Sequence, residues 1–274
     1  MDLRSTVKLN NGVRMPWVGL GVFLSPAGQE TESAVRWALE LGYRHIDTAS
    51  AYDNEQDVGR ALQASGVDRG EIFVTTKVWN ADQGYESCLK ACDESRRKLG
   101  LDTLDLYLVH WPVKGKYRET WRAMEKLYSQ GKARAIGVSN FLVHHLQDLL
   151  KAAEVVPAVN QVEFHPFLLQ RPLLDFGRAN GIRHEAWSPL TRGRLLAHEL
   201  IAELAGKYRR TNAQILLRWD LQHEVVTIPK SVHRERIEEN SRLFDFQLSA
   251  EDMARLDGLD QGTRIGPDPD NFNF

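Results

Sequence analysis

The chain is predicted to be α/β, a single (β/α)8 TIM barrel over residues 1–274, with an N-terminal β-hairpin and an extra C-terminal helix. Three observations predict it. Short β-branched runs alternate with amphipathic stretches along the whole chain, eight times, and that alternation builds a parallel sheet covered by helices. The runs lack clean period-two patterning, as strands do when both faces are buried. No linker interrupts the series, and glycines stand where several helices must stop: Gly42, Gly66, Gly100, Gly131 and Gly181. A doubly wound open sheet is the rival, but it more often has fewer strands.

The elements follow in order. "TVKLNNGVRMPWV" reads as a hairpin turning at Asn11-Gly12, placed to plug the bottom of a barrel. The eight strand segments are residues 18–23, 44–49, 72–78, 104–110, 133–139, 158–164, 183–188 and 225–231. Each precedes a helical pattern, with extra helical residues in the seventh unit. Ser249 caps a last helix with Asp252 in its first turn. The tail "GPDPDNFNF" carries no helix signal and is expected to lie over a site.

Composition removes several function classes. With 35 Lys+Arg against 37 Asp+Glu, the chain is not built for nucleic acid or a membrane surface. No run approaches the roughly 20 apolar residues of a membrane span, and the first residues lack a secretory apolar core. Two cysteines, Cys88 and Cys92 on one predicted helix, cannot staple such a chain, so a reducing, cytoplasmic location is expected. No His or Asp sits near them at metal-ligand spacing. Gly19-Leu20-Gly21 begins a G-x-G-x-x-G pattern, but the third glycine is missing and Ser25-Pro26 follows where a helix must already run. A Rossmann site is rejected.

In a barrel, the carboxyl ends of the strands converge on one mouth. Asp47 ends the second strand, with Tyr52 on its loop; Lys77 ends the third and His110 the fourth. Singly, each has an ordinary explanation: a helix cap, an ion pair, a packed phenol. Jointly they suit one task. Asp47 keeps a buried Lys77 charged, and the ammonium is expected to lower the Tyr52 pKa toward neutrality. Tyr52 then donates a proton to an alkoxide forming from a carbonyl, with His110 as a second hydrogen-bond donor to that oxygen.

The stretches "GYRHIDTASAYDNEQDVGRAL", "LDLYLVHWP", "AIGVSNF", "VNQVEFHP", "EAWSPL" and "IPKSVHRERIEEN" resemble the signatures of the aldo-keto reductases, in order and over essentially the whole chain. With Trp187 where many relatives have tyrosine, the chain resembles the prokaryotic branch of 2,5-diketo-D-gluconate and methylglyoxal reductases. The resemblance implies a catalytic set of Asp47, Tyr52, Lys77 and His110, and NADPH extended across the mouth. It implies that Ser139, Asn160 and Gln161, with Asn140 beside them, hold the nicotinamide carboxamide, and that Trp187 stacks on the ring. Gly21, Val22, Ser188 and Leu190 would also meet the cofactor. Lys230, Ser231, Val232 and Arg236 resemble the site of the adenosine 2'-phosphate, with Glu239 and Asn240 on adenine; lysine and arginine there favour NADPH over NADH. Phe23, Trp79, Trp111 and Phe272 would line the substrate pocket. The short segment after Trp111 implies an open site for small aldehydes and dicarbonyls such as methylglyoxal. Arg192 and Arg194 are placed either to attract anions or simply on the surface. The resulting expectation is an NADPH-dependent carbonyl reductase, a monomer with a small-molecule carbonyl substrate. The alternatives are a dedicated diketo-sugar-acid reductase, an NADPH-sensing binding subunit, and a barrel hydrolase or isomerase working without nicotinamide.

Overall fold

The computed structural model describes residues 1–272 and 274. Eight parallel strands form one sheet in the order β10-β9-β8-β7-β6-β5-β4-β3. They are β3 (Leu20–Gly21), β4 (His45–Asp47), β5 (Phe73–Val78), β6 (Leu104–Val109), β7 (Ala133–Ser139), β8 (Val159–Glu163), β9 (Arg183–Trp187) and β10 (Val226–Thr227). All eight lie inside the segments the sequence predicts. The first and last are shorter than expected. Pro229 has no N–H to continue the ladder, yet the barrel still closes there. Thr227 N donates to Trp17 O at 3.1 Å, Gly19 N to Thr227 O at 3.0 Å and Gly21 N to Pro229 O at 3.3 Å. Gly21 is required at this seam, since a Cβ would sit 2.8 Å from Ile228 O. The would-be dinucleotide glycines therefore serve barrel closure.

The helices are α1 (Gln29–Glu40), α2 (Glu55–Ala64), α3 (Tyr85–Leu99), α4 (Tyr117–Ser129), α5 (Val143–Leu150), α6 (Arg171–Ala179), α7 (Glu199–Tyr208), α8 (Asn212–Gln222), α9 (Arg234–Ser241) and α10 (Ala250–Asp257). Their ends follow local chemistry. Gly100 stops α3 in the left-handed conformation (φ 66°) and donates back to the last turn. Thr211 and Gln214 form a capping box at α8, and Ser249 accepts from Asp252 N at α10. Cys88 and Cys92 both lie buried and unpaired on α3; burial pushes their thiols up, that of Cys92 to about 12.

The hairpin is β1 (Thr6–Lys8) paired antiparallel with β2 (Arg14–Pro16). Asn11 Nδ2 donates to Arg134 O at 2.9 Å and Asn10 Nδ2 to Pro157 O at 3.1 Å. Both carbonyls lie at the amino ends of strands, so the hairpin covers the bottom and leaves the opposite mouth free.

One buried acid ties the lower barrel together. Asp105 accepts from Val74 N at 2.9 Å, Arg69 Nη2 at 2.5 Å and Arg134 Nη1 at 2.7 Å. Replacing Asp105 by Ala leaves a strand N–H unpaired and two guanidiniums without their partner. The expected cost is about 3 kcal/mol, read as a lower urea midpoint.

Candidate active site

At the carboxyl ends of the strands lies a cavity of about 1180 Å³, lined by Asp47, Tyr52, His110, Gln161, Trp187 and Lys230 among others. Its floor is polar. The Lys77 ammonium is wholly buried. It donates to Asp47 Oδ1 at 2.7 Å and Thr48 O at 2.8 Å, and stands 3.4 Å from the Tyr52 hydroxyl. Asp47 Oδ2 accepts from Gln161 Nε2 at 2.7 Å. β4 and β8 are four places apart in an eight-stranded ring, so this bond crosses the inside of the barrel.

Tyr52 ends a one-turn 3-10 segment (Ser50–Tyr52), followed by Asp53 in the left-handed region at φ 54°. The loop is clamped from both sides. Ser50 Oγ donates to Lys77 O at 2.9 Å, Thr48 Oγ1 to Asn54 Oδ1 at 2.7 Å, and Asn54 Nδ2 to Val22 O at 3.0 Å. Asn54 stands just before α2, but its side chain ties the loop to Val22, next to β3, instead of capping the helix. The phenol is thus aimed at the ammonium by the backbone around it.

The electrostatics differ in one respect from the sequence reading. Burial raises the Tyr52 pKa above its ordinary value. The Lys77 ammonium pulls it down, but the Asp47 charge adds to the rise, and the net shift is upward. Burial also acts to lower Lys77, yet Asp47 and Tyr52 more than offset it, so the ammonium is held charged. Burial and then Lys77 push His110 well below the usual histidine range. At neutral pH the site holds a protonated phenol, an ammonium and a neutral imidazole, a set that can donate two hydrogen bonds to one oxygen.

The remaining expected residues divide. Gly21, Ser139, Asn140, Gln161, Trp187, Ser188, Leu190 and Lys230 line the cavity. Asn140 works as a strut: its Nδ2 donates to His110 O at 2.9 Å and its Oδ1 accepts from Trp187 Nε1 at 2.8 Å. Asn160 is not at the mouth. Neighbours on a strand face opposite ways, and with Gln161 turned inward, Asn160 is buried on the other face, donating to Phe141 O at 2.9 Å. Val22 is also outside the lining, since its N–H is taken by Asp47 O at 3.0 Å and its carbonyl by Asn54. Ser231, Val232, Arg236, Glu239 and Asn240 follow Lys230 onto the loop and α9, beyond this lining. Glu239 accepts from Thr211 Oγ1 at 2.8 Å. Arg192 lines the cavity and Arg194 does not.

Aromatic rings wall one side. Phe23 stands 5.0 Å from Tyr52 between ring centroids and Trp79 5.1 Å from His110; Phe272, expected in the pocket, lies outside the lining and backs Trp111 at 5.1 Å. Phe274, not foreseen in the sequence, stacks on Trp79 at 5.7 Å and meets Trp111 edge-on at 5.2 Å. The tail reaches this wall over a second unforeseen residue, buried Glu163. Its Oε1 accepts from Ile265 N at 2.6 Å, while Gly266 N reaches Oε2 at 3.2 Å. A Cβ at Gly266 would stand 2.4 Å from Trp187, so only glycine lets the tail lie against that indole.

The family model described as "Aldo/keto reductase family" matches residues 24–261. The chain is 57% identical over 273 residues to the glyoxal reductase of Bacillus subtilis (strain 168), covering 100% of this chain and 99% of that protein. It is 46% identical over 270 residues to methylglyoxal reductase DkgA of Salmonella typhimurium, covering 97% of each. Among solved structures, a mutant of Gox0644 in complex with NADPH matches with a TM-score of 0.94 at 45% identity, covering 98% of this chain and 99% of that one.

The Glu163 anchor makes a measurable difference. In Glu163→Ala, amide hydrogen exchange at Ile265 and Gly266 is expected to accelerate by about tenfold, the equivalent of one lost hydrogen bond of roughly 1.4 kcal/mol. Exchange in β6 serves as the unchanged control.

Proposed function

The chain belongs to the aldo/keto reductase family, and from that premise we propose an NADPH-dependent reductase of small aldehydes and dicarbonyls such as methylglyoxal, with Tyr52 as its proton donor. The observation that carries this reading is the buried ammonium of Lys77, held between Asp47 and the Tyr52 hydroxyl at the cavity floor. Tyr52 gives its proton to the carbonyl oxygen as that oxygen gains charge. Lys77 stabilises the phenolate left behind, and Asp47 keeps Lys77 charged. His110, neutral and lining the same cavity, orients the carbonyl oxygen.

The residues fit the cofactor. Trp187 offers a flat surface, Gln161 an amide oxygen, and Lys230 a cation, all on one cavity. Bound there, NADPH supplies the hydride that the carbonyl carbon accepts. Ser139 and Asn140, on the same cavity, would hold the nicotinamide, and Ser188 and Leu190 would meet the cofactor between it and Lys230. Arg236 and Ser231 would hold the 2'-phosphate, with Glu239 and Asn240 toward adenine. Support for NADPH comes from the NADPH complex of a relative. Support for small dicarbonyls comes from the short segment after Trp111, the aromatic wall and two relatives named glyoxal and methylglyoxal reductase.

A second reading, a reductase of anionic sugar acids, is favoured by one observation: Arg192 lines the cavity. No helix among the described residues is long and apolar enough to cross a membrane. The reading takes the protein as a single-domain monomer that works in the cytoplasm on small molecules.

The test is loss of NADPH absorbance with methylglyoxal, glyceraldehyde, a nitrobenzaldehyde and a keto-gluconate, repeated with NADH. Methylglyoxal is expected to lead, and a leading keto-gluconate would favour the second reading. Tyr52→Phe is expected to lower kcat between about a hundredfold and ten thousandfold with NADPH binding retained; near-normal turnover would remove Tyr52 from its role. Arg236→Ala is expected to weaken NADPH by about tenfold and leave NADH unchanged, whereas equal loss for both would move the 2'-phosphate elsewhere.

A further inference from the structure

One buried carboxyl beneath Asp47 has no part in that scheme. Glu185 is wholly buried in β9, with its side chain inside the barrel. Gln161 Nε2 donates to Glu185 Oε2 at 2.8 Å as well as to Asp47 Oδ2 at 2.7 Å. An amide nitrogen carries two hydrogens, and both are spent on carboxyl groups. The Gln161 oxygen is thereby left to the cavity that Gln161 lines. The other Glu185 oxygen, Oε1, has no hydrogen-bond partner. It stands 3.6 Å from His45 Nε2, which also lies 3.1 Å from Thr75 Oγ1.

The charged and titratable groups facing Glu185 are few. β4 contributes His45 and Asp47, β5 contributes Lys77, and the loop after β4 contributes Tyr52. On the adjacent strands β8 offers the neutral Gln161, and β10 pairs Val226 with Glu185. One ammonium serves this layer, and Asp47 already balances it. A second carboxylate one amide away would be dry and unbalanced.

We propose that Glu185 is a positioning residue of this site: it fixes Gln161 with the amide oxygen toward the mouth, and it holds a proton on Oε1 that keeps a second negative charge away from Asp47. The inference rests on the reductase reading above. Its electrostatic side is consistent with that geometry. Burial, then the Asp47 charge, push Glu185 up to about 8. Once ionised, its charge reaches both Tyr52 and Lys77 and raises each of them. The sign follows. Below about pH 8 Glu185 is neutral and Tyr52 gives up its proton against one nearby carboxylate. Above that, a second negative charge disfavours the phenolate left behind, and reduction slows. Tyr52 is itself shifted upward from 10.0, so a fall near pH 8 does not belong to the phenol.

The experiment measures kcat for methylglyoxal reduction at saturating NADPH from roughly pH 6 to 10, together with NADPH affinity. The wild type is expected to lose about tenfold in kcat on the alkaline side, in one step centred near pH 8. Glu185→Gln is expected to stay within about twofold of wild type at neutral pH, with the fall displaced upward by at least about one unit. Glu185→Met fills a similar volume but cannot accept from Gln161. It is expected to weaken NADPH about tenfold, whereas Glu185→Gln binds NADPH as wild type does. A flat wild-type profile between about pH 7 and 9 overturns the proton half whether or not a variant folds; so does a folded Glu185→Gln with the wild-type profile. Equal NADPH affinity in the Gln and Met variants overturns the Gln161 half. A wild type that reduces no carbonyl sinks the reductase reading and the proton half with it, while the NADPH titrations still decide the role at Gln161.

Discussion

A charged ammonium enclosed in the barrel is the constraint from which the rest of the mouth follows. Removing such an ion from water costs several kcal/mol unless charge and hydrogen bonds replace the lost solvent. Lys77 meets that demand with one carboxylate and one backbone carbonyl, from Asp47 and Thr48, and leaves its third hydrogen for the Tyr52 side. Those partners come from the carboxyl end of the adjoining strand, so β4 and β5 must stay in register, His45 opposite Phe73 and Asp47 opposite Thr75. The loop that follows must also be rigid enough to hold a phenol 3.4 Å from the ammonium. Ser50 and Asn54 supply that rigidity through bonds to two different strands.

Most of the architecture was legible because the barrel repeats one unit. Apolar run, turn and amphipathic stretch recur, and glycines such as Gly100 mark the stops. The polar residues at the strand ends could be read from sequence position alone, which is how Asp47, Tyr52, Lys77 and His110 emerged together. What remained hidden depends on which face of a strand a residue occupies. Neither Asn160 nor Gln161 sits in an alternating pattern, because both faces of β8 are buried. Sequence gives no parity there, and the two were assigned to the same mouth. The structure turns only Gln161 inward.

Contacts across the barrel were hidden for a related reason. Glu185 meets Gln161, 24 residues away, and Gln161 meets Asp47, 114 residues away. Glu163 meets the tail 102 residues on, at Ile265. No local spacing encodes such pairs. Their one trace in the sequence is an acid inside an apolar run, as in "VNQVEFHP" and "RHEAWS". An acid there is too costly to bury without a partner, so each such residue marks a long-range bond whose other end the sequence does not name.

The upward shift of Tyr52 alters how the proposed chemistry is understood. A phenol near its ordinary pKa of about 10 is already a far stronger acid than an alcohol, whose proton is held about as tightly as that of water. An alkoxide forming beside Tyr52 therefore takes its proton downhill even after burial has raised the phenol. Lowering the phenol toward neutrality is unnecessary for reduction. It would be needed for the reverse reaction, where Tyr52 must already be ionised to act as a base. The enzyme cannot change the equilibrium between carbonyl and alcohol, but it sets the pH at which each direction finds its active form. A protonated Tyr52 beside a neutral His110 is ready for reduction at neutral pH, while oxidation waits for a phenolate that the buried site disfavours. The desolvation that makes Lys77 depend on Asp47 thus also keeps the proton on Tyr52, the form that the proposed reduction requires.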